Sequence, residues 1–267
     1  MKTTALVSMA AFVSALGFAP GTIQAQTATA ATGTGWTFDF TPYIWGVAMS
    51  GDVQSGTLPA VHINMSFSDI LDNLDAGLLS AFEARKGRWG ILFDAIYMKL
   101  EASGTASRTG AGPIGATATA SAELEVTQKM FAAAVAYRAV EGRSPIDVIG
   151  GLRYAKLEAD ATINGSFFAQ SGTVARSAEK DWVDPYIGVR YLQPITANWT
   201  LVSYLDIGGF GVGSDFTWQA ILGANYEFSK TFAAKFGYRY LGVDYDKNGF
   251  IYDMDNSGLY LGLGIRF

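Results

Sequence analysis

The feature that most constrains this chain is an alternation that sets two incompatible environments on opposite faces of the same segments. "TFAAKFGYRY" (231–240) places Phe232, Ala234, Phe236, Tyr238 and Tyr240 on one face and Ala233, Lys235, Gly237 and Arg239 on the other. "WVDPYIGVRY" (182–191) separates Val183, Ile187, Val189 and Tyr191 from Asp184, Tyr186, Gly188 and Arg190. A period of two is the signature of a strand whose faces meet different surroundings. The pattern predicts ten strands, over 36–49, 76–85, 89–102, 119–138, 146–162, 182–192, 199–209, 215–228, 231–246 and 250–267. An even number puts both ends on the same side. Most of these segments hold at least the roughly 9–11 residues that a tilted strand needs to cross a bilayer.

Which face meets lipid follows from charge. One face carries the acids Asp39, Glu83, Asp94, Asp147, Asp184, Asp206 and Glu227 and the bases Arg85, Arg138, Arg153, Arg190, Lys235, Arg239 and Arg266. Arg or Lys at mid-depth in hydrocarbon costs roughly 2–4 kcal/mol, so these fourteen must point inward. The balance of sign suggests pairs within a strand: Glu83 with Arg85, Asp184 with Arg190, Asp147 with Arg153. The other face is apolar and ends in aromatics. Trp36, Trp89, Tyr137, Tyr191, Trp199, Tyr226, Phe228 and Phe267 mark one rim, and Tyr97, Tyr154, Trp218 and Tyr240 the other. Rings with a polar edge favour the headgroup boundary.

The fold class is therefore all-β: a transmembrane, antiparallel, up-and-down barrel of about ten strands, with eight to twelve compatible with the pattern. Connections at one rim are tight (86–88, 140–144, 194–198, 229–230). At the other they are longer (50–75, 103–118, 163–181), apart from short ones near 210–214 and 247–249. Short turns at one rim and long loops at the other is the plan of outer-membrane barrels. A soluble sandwich or lipocalin-like barrel also alternates. The aromatic rims, the alanine- and glycine-rich faces and the N-terminus argue against it.

That N-terminus has Lys2, the apolar stretch Ala5 to Ala19, a break at Pro20–Gly21 and a small residue, Ala25, before Gln26. It reads as a secretory signal peptide over 1–25, followed by a periplasmic segment, 26–35, and the barrel, 36–267. Removing residues 1–25 takes away Lys2 and no acid, so the net charge of -5 becomes about -6. Beyond the signal, no uncharged apolar run approaches the roughly 20 residues of a membrane helix. The chain contains 0 cysteines and 1 histidine, which removes disulfide frameworks and Cys-based metal or redox sites. Mild acidity leaves no footprint for nucleic acid. No phosphate loop, dinucleotide fingerprint or His-rich cluster appears, and no cofactor is expected.

Two local motifs carry further chemistry. Asn248-Gly249 between alternating runs predicts a type I′ hairpin, with Lys247 facing Phe250, Asp244 facing Asp253 and Tyr238 facing Leu259. The same stretch matches the spacing of a calcium loop, but its flanks alternate as strands where an EF-hand needs helices. Asp244, Asp246, Asp253 and Asp255 would still gather at the outer rim, where a divalent cation bridging to anionic lipid would relieve their repulsion. In the first long loop, "VHINMSF" (61–67) alternates, and "SDILDNL" (68–74) predicts a short helix capped by Ser68 or Asp69, folded into the loop or the barrel mouth. His62 lies there, with Asp69 and Asp72 near in sequence. It is the one candidate for an enzymatic role, such as protease or lipid-modifying acyl-transfer chemistry.

The last strand, "SGLYLGLGIRF", turns Leu259, Leu261, Leu263, Ile265 and Phe267 outward and ends on the aromatic. It resembles the C-terminal signature of bacterial outer-membrane β-barrel proteins. That resemblance implies recognition by the barrel assembly machinery, residence in the outer membrane, and contact with outer-membrane lipid and lipopolysaccharide. "SFSDILDNLDAGLLSAFEARKGRWG" (66–90) is similar to a stretch found in an uncharacterised subfamily of porin-like outer-membrane proteins and implies no particular activity. Ten crossings also match the omptin protease barrels, whose catalytic motifs are absent here. The expected function is structural or that of a narrow pore for small solutes or ions. The alternatives are an enzyme, or an adhesin or receptor acting through the long loops.

Overall fold

The computed structural model describes residues 35–56, 59–109, 117–167 and 170–267. The expected signal peptide and most of the segment after it lie outside the described residues. The elements are β1 (Thr37–Ser55), β2 (Val61–Met65), α1 (Phe67–Asp72), β3 (Leu74–Lys86), β4 (Trp89–Thr109), β5 (Thr117–Val140), β6 (Ile146–Phe167), β7 (Gln170–Pro194), β8 (Trp199–Gly208), β9 (Phe216–Glu227), β10 (Phe232–Lys247) and β11 (Phe250–Arg266). They form one antiparallel sheet of 11 strands, each paired with its neighbour in sequence from β3 to β11, and β1 pairs with both β3 and β11 to close the ring. Closure satisfies the strand edges across the membrane, as hydrocarbon requires, apart from Tyr43 to Ala48 of β1, which pair with β11 alone. At the seam, Phe38 and Phe267 exchange both backbone hydrogen bonds, at 3.0 and 3.1 Å, and their rings stack 5.5 Å apart.

The outward face is the apolar one. Leu259 is 70% exposed, Leu261 53% and Phe267 71%, while Asp147, Asp184 and Asp206 are buried inside. A barrel in lipid inverts the soluble arrangement. The aromatic rims pack ring against ring laterally, Trp89 with Tyr137 (4.8 Å) and Trp199 with Tyr226 (4.9 Å) at a tilt and Trp218 stacked on Tyr240 (4.4 Å).

Higher on β10 the pattern changes parity. From Phe232 to Tyr240 the apolar residues are even-numbered and outward; from Leu241 to Tyr245 they are odd-numbered and inward, and Asp244 and Asp246 take the outside. The switch marks where the wall leaves lipid for water. The hairpin beyond it has Asn248 at φ 56° and Gly249 at φ 73°, both in the left-handed region that a type I′ turn demands, and pairs Lys247 with Phe250 and Asp244 with Asp253. Strands on both sides of this turn leave no EF-hand.

Two expected loops are strand instead. β4 and β5 pair from Trp89–Tyr137 up to Thr109–Thr117, and β6 and β7 from Ile146–Tyr191 up to Phe167–Gln170. These four strands stand far above the rim at β8 and β9, where the connection 209–215 lies low against β7: Gly209 N–H bonds Pro185 O at 3.0 Å. Above the membrane both faces of β4–β7 meet water, so nothing forces apolar and polar residues to alternate. The Ser/Thr/Ala composition hid the strands for that reason.

The first loop also departs from expectation. β1 extends to Ser55, and β2 runs back beside it, Val53 facing Val61 and Met49 facing Met65. α1 follows within the wall, not in the mouth. Its N-cap is Ser66: the Ser66 hydroxyl accepts from Asp69 N–H at 3.3 Å, and the Asp69 carboxylate accepts from Ser66 N–H at 2.8 Å. Reciprocal satisfaction of two orphan donors favours Ser66 over the expected Ser68 or Asp69.

Candidate functional site

The interior is the site, and it has two layers. The lower layer, towards the tight turns, is ionic. Asp147 is fully buried and accepts from Arg138 Nε at 2.9 Å, Arg85 Nη2 at 2.9 Å and Arg190 Nη2 at 2.8 Å. Glu83 accepts from Arg85 Nε at 2.8 Å and from Arg190 at 2.7 and 2.9 Å. On the other side of the lumen Asp39 accepts from Lys235 at 2.6 Å and Arg266 at 3.2 Å, and Arg266 also meets Glu227 at 2.7 Å. Of the three pairs expected within a strand, only Glu83–Arg85 forms. Asp147 meets Arg85, Arg138 and Arg190 instead of Arg153, and Asp184 makes no ion pair among the described residues although Arg153 is its cross-strand neighbour. The ring brings positions from different strands to one height, and these shorter approaches across it win.

Above this floor Arg153 donates to Asp206 at 2.8 Å and to Thr217 at 3.3 Å, and its guanidinium lies 4.8 Å from the Tyr186 ring centre. Asp206 also accepts from Tyr204 at 2.7 Å and Gln219 at 3.0 Å. All three donors reach Oδ2, and Oδ1 is buried with no protein partner. Arg239 donates to Gln219 and Tyr43, both at 2.8 Å, approaches Asp94 at 3.3 Å, and lies 5.0 Å from the Trp45 ring centre. Asp184 is held by neutral donors: Trp182 Nε1 at 3.0 Å and the N–H and hydroxyl of Ser214 at 2.5 and 2.8 Å. It ties the low connection 209–215 to the inner wall, and Gly213 makes this possible, since a Cβ there would lie 2.5 Å from Asp184 Oδ1.

The upper layer is apolar. Ile96, Met130, Trp182, Leu241, Tyr245 and Met254 are its buried centre, with Trp182 4.6 Å from Tyr245 and 5.8 Å from Tyr252. Between the layers lies a cavity of about 200 Å³, with Ile96, Met130 and Leu241 above and Asp94, Arg153 and Arg239 at its side. Sequence reasoning missed Tyr43, Tyr204, Thr217 and Gln219 as members of the polar layer, because uncharged polar residues leave no sign of their side. It also missed the apolar lid, although the change of parity at Leu241 is legible in the chain.

The remaining candidates lie outside the lumen. His62 Nδ1 is 2.9 Å from Asp52, not Asp69 or Asp72, and both partners are more than half exposed. Asp244, Asp246, Asp253 and Asp255 sit on the extracellular extensions of β10 and β11. Among the described residues no group of three or more His, Cys, Asp or Glu side chains is placed to hold a metal ion.

Outward charges also mark the extracellular extension of β4–β7. Lys99 meets Asp75, Glu101 and Glu125 at 3.2, 2.8 and 3.0 Å, and Glu158 joins Lys129 and Lys156, both at 2.7 Å. Hydrogen bonds from Lys129 and Lys156 hold the Glu158 carboxyl below its ordinary range.

Solved structures share the architecture. The outer membrane protease OmpT from Escherichia coli superposes with a TM-score of 0.55 at 12% identity, over 87% of this chain and 96% of OmpT. The chain has the fold of an outer-membrane β-barrel. Similarity extends at TM-scores of 0.40 and 0.32 to the translocator domain of the autotransporter NalP from Neisseria meningitidis (16% identity, 88% of this chain and 89% of that one) and to Ail, the attachment invasion locus protein of Yersinia pestis (12%, 87% and 99%). No protein-family model and no curated protein matches the sequence. At such identities the likeness conveys the fold and nothing of activity.

Proposed function

We infer that the protein is a structural barrel of the bacterial outer membrane, closed along its axis, and not an open channel. The supporting observation is the stacking of the two interior layers, an apolar lid above an ion-paired floor with about 200 Å³ between them. Ten crossings enclose little space. A hydrated ion moving along the axis would have to part the Asp147 and Glu83 clusters and then desolvate against Trp182 and Leu241. On this reading the protein is exported behind residues 1–25 and assembled through its last strand, and it contacts lipid and lipopolysaccharide through its outward band. No catalysis is assigned to His62. Single-channel recording in planar bilayers is the test: the reading expects small or absent conductance, and stable channels of general-porin size would end it.

The height of β4–β7 supports a second, compatible role in surface recognition. Gly104 pairs with Ala122, so joining these positions through a two-residue turn shortens the β4–β5 hairpin without disturbing the ladder below. Loss of surface adhesion with an intact barrel would support that role; unchanged adhesion would remove it.

A further inference from the structure

The wall between β1 and β3 is incomplete. Met49 faces Met65 and Pro42 faces Ser80, so seven steps along β1 correspond to fifteen along the returning chain, an excess of eight residues. Tyr43 to Ala48 have no strand partner on this side, although β11 pairs with the same stretch on the other. At about 3.3 Å per residue the break is roughly 20 Å long. Gly46 faces Leu259, and Ala48 faces Ser257, so the break occupies the outer-leaflet half of the apolar band.

Backbone groups left open to hydrocarbon are costly, and a helix, which satisfies its own, is the element that can stand in such a gap. α1 stands there. The Phe67 ring lies 3.4 Å from the Cβ position of Gly46 on the outer face, Phe67 and Leu71 are exposed, and Ile70 is buried. On the inner side Trp45, Ile63 and Leu79 pack against the apolar upper layer. Thr41 and Ala81, next to the end of the β1–β3 ladder, line the cavity of about 200 Å³. That volume exceeds the ~150 Å³ that accommodates a benzene-sized molecule, and its apolar side is made by Leu92, Ile96, Met130, Ile221 and Leu241, opposite the charged side chains of the floor. Apolar side chains thus run from the lipid-facing band to the lumen, Phe67 and Leu71 outside, Ile70 beneath them and Trp45, Ile63 and Leu79 within, while Ser68, Asp69 and Asp72 of α1 turn to the exposed side.

We propose that this break is a lateral portal, plugged by α1, through which the acyl chain of an outer-leaflet lipid enters the lumen. The occupant follows from position and chemistry. The portal opens onto the outer leaflet, its inner flank of Trp45, Ile63 and Leu79 suits hydrocarbon, and the ionic floor stops a chain from passing further. Axial closure is untouched, because a chain entering from the side needs no axial pore.

The register supplies the test. Eight is an even number, so deleting residues 66–73 joins β2 to β3 and completes the ladder against β1 with every side chain from Ala76 onward on its original face; only Leu74 and Asp75, at the bulge of β3, change sides. Wild-type protein and this deletion variant are reconstituted in vesicles of phosphatidylcholine carrying a diazirine on one acyl chain, illuminated and mapped by mass spectrometry. In both, outward Ile44, Leu78 and Leu259 take up label. In the wild type, inward Trp45, Val47 and Leu79 are labelled as well and Ile149 on the far inner wall is not; sealing the wall removes the inward label. Absence of inward label in the wild type, equal label at Ile149 and Leu79, or inward label that survives the deletion overturns the proposal. Should the deletion variant not fold, Gly46→Cys with Phe67→Cys in this cysteine-free chain pins α1 to β1. Inward label must then fall on oxidation and return on reduction; equal label in both states refutes the portal.

Discussion

Replacing Asp147 by Ala removes the hub of the ionic floor. The carboxylate is fully buried and receives Arg138, Arg85 and Arg190 at 2.9, 2.9 and 2.8 Å. After substitution Arg85 and Arg190 retain Glu83, whereas Arg138 keeps no carboxylate among the described residues. Removing one member of a buried ion pair costs about 3–5 kcal/mol, because the remaining charge has lost both water and its partner. Against a total stability on the order of 5–15 kcal/mol that is a large fraction. Urea unfolding in detergent micelles, followed by tryptophan fluorescence and by the heat-dependent gel shift, reads the loss. Asp147→Asn, which keeps one acceptor, should lose less. Adding Arg138→Met to Asp147→Ala removes the stranded cation and should recover about 1–3 kcal/mol as coupling. A single Asp147→Ala variant within about 1 kcal/mol of the wild type would refute the reasoning: the lumen would then be wet enough to solvate three guanidinium groups.

Three further outcomes follow from the same structure. Trp182→Ala should cost about 3–5 kcal/mol by emptying the centre of the apolar lid, and its conductance in planar bilayers should exceed that of the wild type. Gly249→Ala should cost about 1–2 kcal/mol, measured by urea unfolding, because φ 73° is strained for any residue with a Cβ. Glu158→Gln should change stability by no more than about 1 kcal/mol, since its ion pairs with Lys129 and Lys156 are partly exposed. The folded Glu158 carboxyl titrates below its ordinary range, so its small contribution is present above that range and lost as pH falls through it; wild type and Glu158→Gln should therefore converge in acid.

Much of this architecture is legible one strand at a time. Alternate side chains of a strand point to opposite faces, so the parity of Phe232–Tyr240 against Lys235 and Arg239 states sidedness with no tertiary information. The Asn248-Gly249 turn then carries that parity onto β11. Where no second environment exists the signal disappears: the upper parts of β4–β7 stand in water on both faces, and their sequence looks like loop.

What the sequence determined by itself is which side chains face lipid and which face inward, because the two-residue period of a strand is a local, covalent property. The tertiary structure alone decided the partners. Arg190 meets Glu83 across 107 residues and Arg239 meets Asp94 across 145, since closing the ring sets those strands at one height. It also decided that the second crossing carries eight residues in excess of β1, and that α1 in the wall takes up six of them. Register against β1 is a relation between strands, and no local pattern encodes it.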